Sequence, residues 1–185
     1  MKKVLVLGLF AVLCCGMFSA QANVMEKVAF YLPNRVMDLL DMGTVTVGVG
    51  PSVRAELMVT EYCKFGGGIG ISGKLLKEVN RQYGFGINNG WYWQLLCTGQ
   101  EDMQRAKTNR WVNDYDYQMG GVPDYTDVRM YNFYNGSRDF WRIGGALGLG
   151  VEAELYLHPV DIADFVTGLF FIDLKGDDFG SEDFQ

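Results

Sequence analysis

Two long segments of the chain alternate between apolar positions and polar or glycine positions. In residues 44–60, valine, alanine and leucine occupy every odd position from Val45 to Val59 except Pro51, while most even positions carry threonine, glycine, serine, arginine or glutamate. Residues 141–157 repeat this parity, with glycine and glutamate at most even positions. A period of two is typical of a β-strand with two different faces. Gly50 and Pro51 interrupt the first segment and predict a hairpin turn there.

Four shorter segments predict further strands: 65–71, 83–87, 91–97 and 128–134. The sequence Asn88-Asn89-Gly90 lies between two of them and favours a hairpin turn. Residues 98–127 are polar and rich in tyrosine, and they predict a polar excursion outside the sheet. We therefore expect six to eight strands, mostly antiparallel, because most connections between them are short.

Two segments have the spacing of amphipathic helices instead. Residues 33–42 begin with a proline, end before Gly43, and carry an apolar stripe of Val36, Leu39 and Leu40. Residues 159–169 also begin with a proline and place apolar side chains such as Ile162 and Phe165 at helical spacing. The pattern predicts that Asp161 and Asp164 lie on the other, solvated face of the second helix.

A glycine-rich sheet with one apolar face has two physical solutions. In the first, the apolar face packs against the two helices, which makes a curved sheet in an α+β domain. In the second, the sheet closes into a small outer-membrane β-barrel with its apolar face towards lipid. We favour the α+β class, mainly antiparallel, because a barrel has no need of two amphipathic helices.

The first 22 residues have the pattern of a cleavable export signal. Lys2 and Lys3 precede an uncharged apolar run, and Ala20-Gln21-Ala22 forms a small-x-small cleavage site. We expect residues 23–185 to form a single β-rich domain with an acidic C-terminal tail, located in the periplasm or outer membrane of a Gram-negative bacterium. This mature chain would have 14 basic and 22 acidic residues. Its acidic charge argues against nucleic acid as a partner, since nucleic acids are bound through basic patches.

Only Cys63 and Cys97 remain in the predicted mature chain. An oxidising compartment would allow one disulfide between them, although two buried thiols are an equal alternative. The pattern of residues 68–73 matches G-x-G-x-x-G, but the acidic residue required about 20 positions later is missing. We interpret these glycines as part of a strand, and we expect no cofactor.

A few side chains are candidates for catalysis or metal binding. His158 is the only histidine, and it could join Asp161 and Asp164 in the cleft of a hydrolase. Four loop aspartates could bind calcium through their carboxylates: Asp114, Asp116, Asp124 and Asp127. Commoner roles for such residues are a strand–helix junction, a helix cap and solvated loop acids. We therefore predict no catalytic residue and no metal site.

Five charged residues would line a cavity if the glycine face of the sheet encloses one: Arg54, Glu56, Arg142, Glu152 and Glu154. They are the candidate ligand-facing residues of a periplasmic binding module for a hydrophobic, lipid-like ligand. The main hypothesis is different. It is a non-enzymatic envelope protein with a structural or interaction role, whose partner is the membrane or another envelope protein.

Two segments of the sequence resemble a known group of proteins. Residues 31–41, read as Tyr-Leu-Pro-Asn-Arg-Val-Met-Asp-Leu-Leu-Asp, run into the strand at 45–50, and His158 to Phe165 run on to residues 173–178. Together they resemble an uncharacterised family of exported Gram-negative envelope proteins. The resemblance implies an envelope location and a single domain, and it implies no activity, ligand or catalytic residue.

Overall fold

The computed structural model describes residues 28–176 and residue 178, and within them the fold is α+β. The export signal and most of the acidic tail predicted above lie outside the described residues. The elements follow in this order: α1 (28–41), β1 (Gly43–Thr60), β2 (Cys63–Glu78), β3 (Gln82–Leu96), β4 (Thr98–Lys107), β5 (Tyr115–Gly121), α2 (Val128–Tyr131), β6 (Ile143–Leu157) and α3 (Pro159–Gly168).

The six strands form one antiparallel sheet in the order β5-β4-β3-β2-β1-β6. From β1 to β5, each strand forms an antiparallel hairpin with the next strand in the sequence. Strand β6 then pairs with the side of β1 that does not pair with β2. The predicted α+β class and antiparallel sheet are thereby confirmed. Strands β5 and β6 are the two edge strands of this sheet. The alternative of a closed barrel is not confirmed.

The sheet is strongly curved. An extended strand with the 18 residues of β1 would span roughly 60 Å. Thr44, near the start of β1, reaches Asp139 through His158, while the amide of Glu61, just after its end, donates to the carbonyl of Phe140. Because Asp139 and Phe140 are neighbours, the two ends of β1 approach each other, and the sheet encloses its inner face.

A β-bulge in β1 produces part of this curvature. Against β6, Val49 pairs with Val151 and Val53 pairs with Leu149, so three residues of β1 stand opposite one residue of β6. A bulge bends its strand and increases the local twist, and it is a position where proline is tolerated. The predicted hairpin at Gly50-Pro51 is therefore wrong, since β1 continues through it.

The hairpin predicted at Asn88-Asn89-Gly90 is also wrong, because β3 runs through these residues. Asn88 is buried and its side-chain oxygen accepts a hydrogen bond from Nε of Arg105 on β4. That partner satisfies the polar side chain inside the sheet, so the segment does not need to turn. By contrast, the glycines of residues 68–73 lie in β2, which confirms their interpretation as strand residues.

The segment 98–127 is not a polar excursion, since it contains β4 and β5. Conversely, the strand predicted at 128–134 is wrong. Residues 128–131 form the short helix α2, and the carboxylate of its N-cap, Asp127, accepts a hydrogen bond from the amide of Arg129. A capping aspartate favours the start of a helix.

The buried side of the sheet is its polar side. Buried residues of β1 and β2 include Thr46, Glu56, Lys64 and Lys74, whereas the apolar odd positions of the same strands are exposed. The expectation that the apolar face packs against the helices is wrong. The physical reason is that the charged side chains of the inner face form ion pairs with one another across the curved sheet.

The two longer helices, α1 and α3, also bury acidic side chains and expose apolar ones. In α1, which begins before Pro33, Asp38 and Asp41 are buried, while Val36, Leu39 and Leu40 are about half exposed. In α3, Asp161 and Asp164 are buried, contrary to their predicted solvated position. None of the helices in the described part of the chain is long and apolar enough to cross a membrane.

Candidate functional site

The five candidate ligand-facing residues all point to the inner face of the sheet, where Glu56, Glu152 and Glu154 are buried and the side chains of Arg54 and Arg142 are each 12% exposed. The Nη1 atom of Arg54 lies 2.5 Å from Oε1 of Glu154, and its Nε lies 3.5 Å from Oε2 of Glu152. The Tyr156 hydroxyl donates to Glu56 over 2.8 Å, and Arg142 donates to Glu61 over 3.0 Å. These side chains are therefore brought together, as partners of one another.

Further charged residues complete this buried network, which we call the inner charge network. It contains six cationic and six carboxylate side chains: Arg54, Lys64, Lys74, Arg105, Arg138 and Arg142 with Glu56, Glu61, Glu78, Glu101, Glu152 and Glu154. Tyrosine rings add to it, as with Lys64, whose Nζ lies 4.7 Å from the ring centre of Tyr92. Equal numbers of opposite charges make the interior neutral, which lowers the cost of burying them.

The best-formed ion pair in the network is bidentate. The two terminal nitrogens of Arg105 donate to the two carboxylate oxygens of Glu78 over 2.6 and 2.7 Å. Such parallel hydrogen bonds are stronger than a single contact and fix the relative orientation of the two groups. They hold β4 against the end of β2, two strands away in the sheet.

The space left between these side chains is small. The cavity lined by the inner charge network measures about 20 Å³. That volume is near the minimum that one water molecule occupies. A ligand-binding role for Arg54, Glu56, Arg142, Glu152 and Glu154 stays a prediction, and the geometry assigns them firmly only to ion pairing.

The network also changes the pKa values of its carboxyl groups. Burial alone would raise the pKa of Glu56, but the charges of Lys64, Arg142 and Arg54 outweigh burial and lower it to about 2. For Glu101 the same competition between burial and Arg138 ends in a lowered pKa. These carboxylates are therefore charged in the folded protein at neutral pH.

The outer face of four strands is apolar and exposed, and we call it the outer apolar face. It carries large apolar side chains on each of them: Val45, Val47, Val49, Val53, Leu57 and Val59 on β1; Phe65, Ile69, Ile71 and Leu75 on β2; Phe85, Ile87, Trp91, Trp93 and Leu95 on β3; Ile143, Leu147, Leu149, Val151, Leu155 and Leu157 on β6. All of them are at least 40% exposed. In soluble proteins, contiguous exposed apolar patches larger than a few hundred Å² are typical of interaction sites.

The outer apolar face ends at β4. Trp93 of β3 stands opposite Gln100 of β4, and Trp91 stands opposite Asp102. The outward residues of β4 and β5 are mostly polar or small, and they include Gln104 and Gln118. The two tryptophans therefore form the border between an apolar and a polar surface, a position that suits their amphipathic rings.

A shallow depression crosses the outer apolar face. Gly67 pairs with Ala55 on one side and with Trp93 on the other, so two small residues lie in one row of the sheet. The resulting open space of about 540 Å³ is lined by Val53, Ile69, Trp91 and their neighbours. Its lining is almost wholly apolar.

A second polar cluster lies where α3 meets the sheet. Nε2 of His158 lies 2.9 Å from the hydroxyl oxygen of Thr44, and its Nδ1 lies 2.8 Å from Oδ2 of Asp139. Nζ of Lys175 donates to Asp161 over 2.7 Å. Burial raises the pKa of Asp161, and the charge of Lys175 only partly opposes it.

The three residues proposed for a hydrolase do not converge. His158 and Asp161 share a cluster with Asp139, in which their potential metal-ligating atoms lie within 4.8 Å of one another. Asp164 points elsewhere, since its carboxylate accepts the backbone amides of Leu174 and Lys175. His158 hydrogen-bonds with Asp139 and Lys175 pairs with Asp161, so the polar groups of the cluster already have partners.

The other candidate side chains have local roles. Asp114 pairs with Lys107 over 3.1 Å, Asp124 accepts from the amide of Thr126, and Asp127 caps α2, so they do not gather into a calcium site. Cys63 and Cys97 are free thiols. The strand register places them one step beyond the Lys64–Leu96 pair, so a disulfide between them stays a prediction.

The sequence predicted five of the twelve residues of the inner charge network and missed the other seven. Lys64 and Lys74 share the even parity of Gly66, Gly68 and Gly70 along β2, a signal that could have placed them on the inner face. Glu101 and Arg105 could not be found this way, because β4 has polar residues on both faces.

Comparisons with protein-family models, with curated proteins and with solved structures find no match.

Proposed function

We propose that this chain is a non-enzymatic protein of the Gram-negative cell envelope that attaches to the outer membrane through its outer apolar face. The single observation that supports this most directly is the reversal of the usual pattern. Charged side chains such as Lys74 and Glu152 are buried, while Leu147 and Leu149 are 71% and 81% exposed. Each Å² of apolar surface exposed to water costs about 25 cal/mol of free energy. A surface with this many exposed apolar side chains is therefore unfavourable in water.

Lipid is the occupant that the chemistry of this surface favours. The outer apolar face has no basic cluster to attract headgroups, so its contact would be with acyl chains. The depression beside Gly67 and Ala55 has room for such a chain between Trp93 and Leu147, which flank these two residues in the same row.

The polar outer surface of β4 and β5 limits how deeply the molecule enters the membrane. A protein surrounded by lipid needs an apolar band around its whole circumference. Here Gln100, Gln104 and Gln118 face outwards instead. If the protein attaches by one side, the outer apolar face contacts lipid while the polar outer surface of β4 and β5 stays in water. The role of such a protein is structural or that of an interaction platform.

The test is flotation with vesicles of phosphatidylethanolamine and phosphatidylglycerol, followed by a carbonate wash. One variant combines Val47→Glu, Ile69→Glu and Leu149→Glu on the outer apolar face. Its matched control combines Gln100→Glu, Gln104→Glu and Gln118→Glu, which adds the same charge to the polar outer surface. We expect the first variant to lose membrane binding on the order of tenfold or more, and the control to bind like the unchanged protein.

Two results would contradict the proposal. One is an unchanged protein that stays soluble and monomeric without vesicles or detergent. The other is a soluble dimer that the apolar-face variant converts to a monomer, because a second copy would then cover the outer apolar face in place of lipid.

A further inference from the structure

A separate cavity of about 140 Å³ opens beside the cluster at α3. Its polar lining includes Asp161 and Lys175, which are 4% and 3% exposed, and Asn80, whose side-chain oxygen accepts from Lys175 over 3.1 Å. Aromatic rings stand around it, and the most exposed are Tyr125, Phe133 and Trp141. This combination of buried polar groups and exposed rings differs from the outer apolar face.

We propose that this cavity binds one pyranose ring of a neutral sugar. Its volume is close to that of a cavity of about 150 Å³ that holds benzene, so there is room for the six-membered ring, and the hydroxyl groups on one side of the sugar would project through the open mouth of the cavity. The sugar hydroxyls would meet the carboxylate of Asp161, the ammonium of Lys175 and the amide of Asn80. A carboxylate has about four lone-pair positions, so Asp161 can accept hydroxyl hydrogens in addition to its bond with Lys175.

The balance of charge in the lining favours a neutral ligand. The charged residues that line the cavity are Arg138, Asp139, Asp161 and Lys175, two of each sign. Each has a partner of opposite sign or a histidine, since Arg138 pairs with Glu101, Asp139 with His158, and Asp161 with Lys175. A charged ligand would have to break one of these pairs, and leaving a buried charge without its partner is costly.

The exposed rings supply the remaining recognition. The faces of aromatic rings are electron-rich and attract the weakly positive C–H groups that line one side of a pyranose ring. Phe133 and Tyr125 are accessible for such a contact, because 40% and 61% of their surfaces are exposed. Sugar binding would give an envelope protein contact with glycans, independently of how it attaches to lipid.

Binding is measured by ligand-observed NMR on the full chain in a detergent without a sugar headgroup. The probes are glucose, galactose and N-acetylglucosamine, together with glucuronate and glucosamine as charged analogues. We expect saturable binding of at least one neutral sugar with a Kd of about 1 mM, a value usual for one ring with few contacts. We expect the charged analogues to bind several-fold more weakly.

Variants locate the binding to the cavity. Tyr125→Ala and Phe133→Ala should weaken binding by up to about tenfold, since each removes one aromatic contact. Tyr134→Ala is the matched control, because Tyr134 is adjacent, 63% exposed and outside the lining. The proposal is overturned if no neutral sugar saturates at about 50 mM, if a charged analogue binds most tightly, or if Tyr134→Ala weakens binding as much as Phe133→Ala. Vesicle flotation is unaffected by any of these results, so the two proposals fail separately.

Discussion

Lys74 has no exposed surface, and its ammonium group faces Glu152 and Glu154 across the inner face of the sheet. A single buried charge is costly, but a pair with good geometry offsets much of that cost. The stability of the fold therefore depends on each member of the inner charge network having its partner. This dependence distinguishes the network from the ion pairs on the surface.

At the scale of single residues, Lys74→Met is expected to destabilise the protein by about 3–5 kcal/mol, because Glu152 and Glu154 then share only Arg54 and the inner charge network keeps one buried negative charge uncompensated. The matched control is Lys107→Met, which breaks the exposed pair with Asp114 and should leave stability unchanged within error. Urea unfolding followed by tryptophan fluorescence measures both. Equal effects of the two substitutions would mean that the network does not support the fold.

The strands are the next scale, and their glycines allow close approach of neighbouring backbones. Gly66 in β2 has a φ of +129°, and a Cβ atom there would lie 2.0 Å from the carbonyl oxygen of Ala55 on β1. A Cβ atom added at Gly120 in β5 would have no neighbouring atom within 4 Å. Glycine is therefore required in the first case and replaceable in the second.

We expect Gly66→Ala to destabilise the sheet strongly, by about 3 kcal/mol or more, through backbone strain and the forced separation of β1 and β2. Gly120→Ala should leave stability within about 0.5 kcal/mol of the unchanged protein. Thermal unfolding of the two variants in the same detergent compares them. A Gly66→Ala variant as stable as Gly120→Ala would show that β1 and β2 do not approach as described.

At the element scale, much of the fold was predictable. The period of two in residues 44–60 and 141–157 and the proline starting α3 identified β1, β6 and that helix. The turns at Gly50 and Asn88 were wrong, because local turn signals were overridden by pairing with residues distant in the sequence. β4 was missed because its outer face is polar as well as its inner face, which leaves no apolar alternation to detect.

The side of the sheet that faces inwards could not be predicted from alternation alone. Alternation separates two faces, but the ion pairs that bury one of them join residues about 100 positions apart, as with Arg54 and Glu154. Only the strand register brings such partners together. The cavity beside α3 was hidden for the same reason, since Asn80, Asp139 and Lys175 come from three distant segments.

For the whole molecule, the lowered pKa values predict loss of stability in acid. The pKa of Glu56 is about 2 in the folded protein and has an ordinary value of 4.5, so the unfolded chain binds the extra proton between these values. Stability from Glu56, about 3 kcal/mol, is present above pH 4.5 and is lost as the pH falls towards 2. Glu101 and Glu154, whose pKa values are also lowered, act in the same direction.

Two helix carboxyl groups act against this trend. Burial raises the pKa values of Asp41 and Asp161, so their contribution to stability falls as the pH rises through the region above 3.8. The network should dominate because more groups shift downwards. Unfolding free energies at pH 7, 4.5 and 3 check this, with Glu56→Gln as a variant whose pH dependence should be smaller. A protein more stable at pH 3 than at pH 7 would refute the expectation.

The whole molecule thus combines a neutral, ion-paired interior with an exterior that is apolar on one side and polar on the other. Trp93 lies on the outer apolar face, and Trp111 lies between β4 and β5, with the guanidinium carbon of Arg110 4.3 Å from the centre of its ring. These two tryptophans, 45% and 57% exposed, report on the outer apolar face and on the connection between β4 and β5.

The most direct measurement is fluorescence quenching by lipids brominated on their acyl chains, using two variants that each keep one tryptophan and replace the others with phenylalanine. Trp93 alone should shift to shorter wavelength on binding vesicles and be strongly quenched, while Trp111 alone should show neither change. Equal quenching of both tryptophans, or quenching of Trp111 only, would contradict attachment of the protein to lipid through its outer apolar face.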